Sequence, residues 1–189
     1  MRRLPAATWN HLRLEDRLGP GLRVLFVGIN PGIRSATTGH HFAGFSNRFW
    51  RLLSESRLVP QPITFEDDRR LPEWGFGITN LIARPSPGIG DLRLAEYAEG
   101  WTTLEQKIRR FRPEYVALVG VTLYRAIRPL LPEAPGPDRR RLRLGLQPET
   151  IHGARIFVLP NPSGRNANFS YAEMLRAFRA LARVLRQRD

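Results

Sequence analysis

Two asparagines of this chain sit far apart in the same short grammar. Asn30 lies in Gly28-Ile29-Asn30-Pro31-Gly32 and Asn161 in Leu159-Pro160-Asn161-Pro162-Ser163-Gly164. In each, proline stiffens the backbone after the asparagine, and a nearby glycine lets a second backbone or a ligand come close. A carboxamide both donates and accepts, so Asn30 can hold a water or a carbonyl in place. It has no accessible pKa and cannot take a proton with any strength. Chemistry built on it must be dissociative, needing an aimed water more than a base. Cleavage of an N-glycosidic bond meets that demand; peptide hydrolysis does not. The plainer alternative is an asparagine that only folds a turn by bonding its own backbone.

Other residues could complete such a site. Phe42, in the Gly-rich run 39–50, could stack on a planar ring, or it could pack beneath its loop, and Phe45 competes for either role. His40 and His41 read as an exposed pair. Asn47 reads as a helix cap, with Phe49 and Trp50 in the core. The tip Ser163, Gly164, Arg165 and Asn166 could enter a duplex and fill the gap left by an extruded base, with Arg165 as the plug. Asn161, Ala167 and Asn168 extend that loop toward phosphates, which the backbone amides and the start of the last helix could grip. Asp91 has two readings, a carboxylate that helps activate water or a helix cap ahead of Glu96. Glu66, Asp67 and Asp68 read as a solvated cluster beside arginines.

The elements that must position these residues follow from periodicity. Apolar runs at 22–29, 113–120 and 154–160 read as buried parallel strands, and 75–88 opens as a short strand that closes in Pro-Ser-Pro-Gly. Helical spacing appears over 46–57, with a Ser at its start, and over 101–111, 121–131 and 171–187. Between them, 30–45 reads as a long loop without structure of its own, 58–74 as an irregular Pro-rich surface excursion, and 132–149 as a solvent-facing insertion. Strand, loop and helix repeated in this way predict one α/β domain over 1–189: a three-layer α/β/α sandwich on a mostly parallel sheet, with its core near 20–187 and an N-terminal extension over 1–19. Ligands bind outside the carboxyl ends of such strands, so both Asn-Pro corners should converge on one site.

Composition narrows the partner. Thirty basic against seventeen acidic residues leave a formal charge of +13, which favours a polyanion. The Arg-rich run 139–143 reads as a solvated surface that could skim DNA. The absence of cysteine removes disulfides, thiolate nucleophiles and Cys-bound metal centres. The four histidines lack zinc spacing, so neither metal nor other cofactor is expected. A signal or membrane-spanning run is also lacking, and the expected location is the cytoplasm or nucleoid. Neither a G-x-G-x-x-G fingerprint nor a Walker lysine is present, which disfavours nucleotide-sugar and phosphate chemistry. The remaining rival is a nucleic-acid or nucleotide binding protein that cleaves nothing.

The ordered set "GINPG", "NRFW", "GITNLIARPSPG" and "LPNPSG", spanning about 22–186, resembles the mismatch-specific uracil-DNA glycosylases and the allied thymine-DNA glycosylases. The resemblance implies a three-layer fold that removes uracil, and in many members thymine or modified bases, from mispairs with guanine in double-stranded DNA. It also implies monofunctional hydrolysis by a monomer. Asn30 matches the family's water-positioning asparagine, Phe42 its base-stacking aromatic, and the loop from Asn161 its intercalating loop. Ile29 and Ser35 fall where the pocket is completed. Three features move the chain toward the thymine type: Arg165 where bacterial mismatch enzymes carry a leucine wedge, Asn80 where they often carry lysine, and the loop that supplies Asp91. The sole lysine, Lys107, falls on a helix, consistent with the lack of an amine nucleophile.

Overall fold

The structure, a computed structural model, describes residues 9–131 and 143–187. Strands β1 (Val24–Gly28), β2 (Phe76–Asn80), β3 (Tyr115–Val119), β4 (Gly145–Ile151) and β5 (Ala154–Leu159) form one sheet in the order β2-β1-β3-β5-β4. All pairings are parallel except β4 with β5. Alternation along β1 explains the layers: Val24 and Phe26 point to one face, Leu25 and Val27 to the other. On the first face, Phe26 and Ile78 pack against α2 (Phe49–Glu55) and α5 (Tyr171–Arg186) through Phe49, Leu52, Phe178 and Leu181. On the second, Val27 and Leu118 pack against α3 (Leu94–Phe111) and α4 (Val121–Ile127) through Leu104, Ile108, Leu123 and Ile127. The three-layer, mostly parallel α/β architecture is present as expected.

This order places the functional edge. After β1 the chain leaves toward the α2 face, and after β3 it leaves toward the α4 face. The carboxyl ends of these adjacent strands therefore open a crevice between diverging connections, the place where open α/β sheets bind ligands.

Several segments differ from their sequence reading. The loop after β1 contains a short helix, α1 (Ile33–Thr38), which ends on Gly39 at φ 75. The segment 58–74 is more than a surface excursion. It winds into a 3-10 helix (Phe65–Trp74) whose Leu71 and Asp68 are wholly buried, so Asp68 is not the solvated acid expected. Thr64 and Asp67 cap its start reciprocally. The stretch 132–149 hides β4, where only one residue in two is covered and the apolar signal is diluted. The Arg-rich run lies outside the described residues apart from Arg143. Asn47 rather than Ser46 serves α2, its Oδ1 accepting from the Phe49 amide at 3.0 Å. The chain joins the sheet edge at Arg17, ahead of the expected start, by a bridge to Ile78.

Candidate active site

A cavity of about 580 Å³ opens at the carboxyl ends of β1, β2 and β3. Asn30, Ile29, Ser35, Phe42, Asn80, Asn161, Ser163 and Arg165 all line it. The two Asn-Pro corners thus meet. Gly164, Asn166, Ala167 and Asn168 belong to the same loop but are not part of the lining, and neither is Asp91.

Asn30 is held by groups from another loop. Its Nδ2 donates to Arg84 O at 3.1 Å and Ser86 Oγ at 2.8 Å, with Pro31 O at 3.2 Å. The Ser86 hydroxyl spends its single proton on Gly88 O at 2.7 Å, so toward Asn30 it can only accept. Rotating the amide would also turn Oδ1 onto two carbonyl oxygens. The orientation is therefore fixed, and Oδ1 is left without a partner among the described residues, free to accept from a water. Backbone bonds bind the two loops side by side, with Leu81, Ile82 and Ser86 N–H donating to Gly28, Ile29 and Pro31 C=O. Arg84 is itself anchored, gripping Glu96 through Nε and Nη2 at 2.8 and 2.9 Å. That fork holds the Glu96 carboxyl down to about 2.

Phe42 takes φ 51, a left-handed conformation that costs a non-glycine residue energy and needs support. Its ring stacks on Phe49 with centroids 4.2 Å apart, so one face is covered while the ring lines the cavity. The support lies behind. Asp68, fully buried, accepts from His41 N at 2.9 Å, meets His40 Nδ1 at 3.0 Å and pairs with Arg17 Nε at 3.2 Å. Arg17 Nη2 also donates to Gly39 O at 2.6 Å. A buried charge is tolerated when paired and bonded in this way. Phe45, the competing aromatic, is 90% exposed on the rim. Ser35 Oγ accepts from Ala43 N at 3.0 Å, which ties α1 to the Phe42 loop.

His41 corrects the exposed-pair expectation, since it is buried. Burial lowers its pKa to about 4, so the ring is neutral at physiological pH. Its Nε2 faces Glu15 O at 2.9 Å and must donate there, leaving Nδ1 as an acceptor toward Asn80 Nδ2 at 3.5 Å. Asn80, across the register from Gly28, turns its Oδ1 onto that glycine; a Cβ at Gly28 would lie 2.6 Å from this oxygen. Glycine is required there by close approach.

The second corner docks on the segment that leads into α2. Pro162 O accepts from Arg48 N at 3.0 Å, and a Cβ on Gly164 would meet Ser46 Cβ at 2.4 Å. Asn161 Oδ1 accepts from Ser163 N at 3.0 Å, and Asn166 Nδ2 donates back to Asn161 O at 2.8 Å. Arg165 projects exposed from this braced tip. Asp91 is exposed and its Oδ2 accepts from Gly88 N at 3.1 Å, closing the turn that carries the Ser86 acceptor. Lys107 pairs with Asp16 at 2.7 Å and is not part of the lining. Among the described residues lining the cavity, none carries a carboxylate or an amine.

The sequence reading does not single out Ser86, Arg84 and Glu96, which hold Asn30 and its neighbouring loop. The only signal was the Pro-Ser-Pro-Gly turn, which marks a rigid loop without naming what it holds.

A family model described as the uracil DNA glycosylase superfamily matches residues 16–184. A solution NMR structure from Methanosarcina acetivorans, provisionally named a uracil DNA glycosylase, superposes with a TM-score of 0.57 at 18% identity, covering 90% of this chain and 98% of its own. The chain belongs to the uracil DNA glycosylase superfamily, a superfamily of DNA glycosylases.

Proposed function

From this membership and the composition of the cavity, we propose that the chain hydrolyses the N-glycosidic bond of uracil, and of thymine, mispaired with guanine in double-stranded DNA. It acts as a monomer in the cytoplasm or nucleoid and leaves an abasic site. The observation that carries this reading is the Asn30 amide, clamped through Nδ2 with Oδ1 free, in a cavity lined by Phe42 and, among the described residues, by neither carboxylate nor amine.

The steps follow from these residues. Arginines and loop amides hold the duplex, and Arg165 enters the stack as the nucleotide turns out. A mispaired base gives up less pairing energy and is favoured. The ring slides against Phe42, and Asn80 meets its polar edge. The bond from C1′ to N1 breaks with both electrons leaving on the base, where the Asn80 amide and backbone near Ile29 stabilise the developing anion. Asn30 Oδ1 accepts one hydrogen of a water and aims its lone pair at the oxocarbenium carbon. Oxygen bonds to C1′ and the proton leaves to solvent or to the departing base. No covalent enzyme intermediate forms, since no amine is among the described residues of the lining, and the reaction is monofunctional. Asp91 is engaged by Gly88 and supports the loop behind Asn30 rather than the water.

The test is base release from labelled duplexes with uracil or thymine opposite guanine or adenine. Release from guanine mispairs, lost in Asn30→Ala, is expected; retained DNA binding with no release from any duplex refutes the reading in favour of a binding protein.

A further inference from the structure

Phe45 is out of place for a packing residue. It is 90% exposed, on the segment that forms the wall between the cavity and an adjoining hollow of about 620 Å³. Both spaces share Arg34, Phe42, Gly44, Phe45 and Asn47. The Arg34 guanidinium carbon lies 3.7 Å from the Phe45 centroid, and its Nε donates to Ala43 O at 2.7 Å, so the cation is fixed against one ring face. The other face is open. The hollow continues past it over Ile63 and Phe65, and the one acid among its described lining residues, Glu55, pairs with Arg51 at 2.6 Å.

We infer that Phe45, backed by Arg34, is a stacking platform for one unpaired nucleobase of the substrate strand, immediately beside the extruded nucleotide. An exposed ring with a cation fixed behind it suits a strand that brings flat bases and phosphates together. Stacking of a base on an aromatic tolerates any base identity. Continuity with the cavity singles out the neighbouring nucleotide, because the strand that delivers a base past Phe42 must cross the 42–47 wall. Such a contact needs no complementary strand, so it extends the substrate class to lesions in single-stranded or frayed DNA. The inference rests on the extruded-base reading of the cavity.

The test measures affinity by fluorescence anisotropy for single-stranded oligonucleotides carrying an uncleavable 2′-fluorinated deoxyuridine, at fixed salt. The base on its 5′ or 3′ side is either intact or replaced by an abasic spacer. Phe45→Ala should weaken binding about 5- to 100-fold. A spacer on one side should weaken the wild type equally and cost Phe45→Ala nothing more, while Phe45→Trp keeps the spacer dependence. Unchanged affinity in Phe45→Ala, or a loss that ignores the spacer, overturns the platform. Release from an ordinary uracil strand is read in parallel. Spacer-dependent binding without release defeats the glycosylase reading alone, and release with spacer-independent binding defeats the platform alone.

Discussion

The two Asn-Pro corners share a sequence pattern and differ in what holds them. Asn30 is bonded to residues 54 and 56 positions away, so its amide is aimed by the tertiary structure. Asn161 bonds Ser163, two positions on, and its loop is braced by its own Asn166. Long-range clamping leaves an acceptor free and oriented. Local clamping makes a stiff tip whose exposed Arg165 can be driven into another molecule. On the proposed reading, one grammar yields a chemical part and a mechanical part.

The widest separation between the corners should come from paired alanine substitutions. Asn30→Ala should lower single-turnover base release by about 10²-fold or more, since a misplaced reactant costs on that order. Asn161→Ala should lower it only a few-fold, about the worth of one exposed local hydrogen bond. Equal losses would erase the distinction.

Acid stability probes the support behind Phe42. His41 has a folded pKa of about 4 against an ordinary 6.5, so between these values the unfolded chain binds a proton the folded chain refuses. Its contribution is whole above pH 6.5 and is lost as pH falls toward 4, by up to roughly 3 kcal/mol. Urea midpoints taken from pH 7.5 to 4.5 should fall accordingly, and His41→Gln should flatten that slope. A slope unchanged in the variant would remove His41 from that support.

Arg165→Ala should reduce activity about tenfold on duplexes and little on single strands, because only a duplex has a gap to fill. Comparable losses on both would assign Arg165 to phosphate binding. Ser86→Ala, which removes one neutral acceptor from Asn30, should reduce kcat by a factor of about 5 with KM preserved, one net hydrogen bond in size. Asp91→Ala should have the smallest effect, under about twofold in rate, as a lost turn contact at the surface implies. A loss matching Asn30→Ala would instead make its carboxylate the proton acceptor.

Much of the site was legible because its signals are local. Pro31 and Pro162 announce stiff corners, and Gly28 announces a close approach that proves to be Asn80 Oδ1. Strands β1, β3 and β5 are near-continuous apolar runs, the mark of burial on both faces. Strand β4 escaped because an edge strand covers only alternate residues. Asp68 escaped because three aspartate or glutamate residues in a row look alike until one of them is placed opposite Arg17 and His41.

By itself, then, the sequence determined the order of the buried strands and of the helices that cover them, and the sites of the stiff turns, since periodicity and backbone restriction act between near neighbours. The tertiary structure alone decided which end of the Asn30 amide faces the cavity, which acid is buried, and that Phe45 stands in solvent while Phe42 stacks on Phe49. Those outcomes depend on hydrogen-bond partners and packing surfaces supplied from distant parts of the chain, and no local pattern encodes a distance between them.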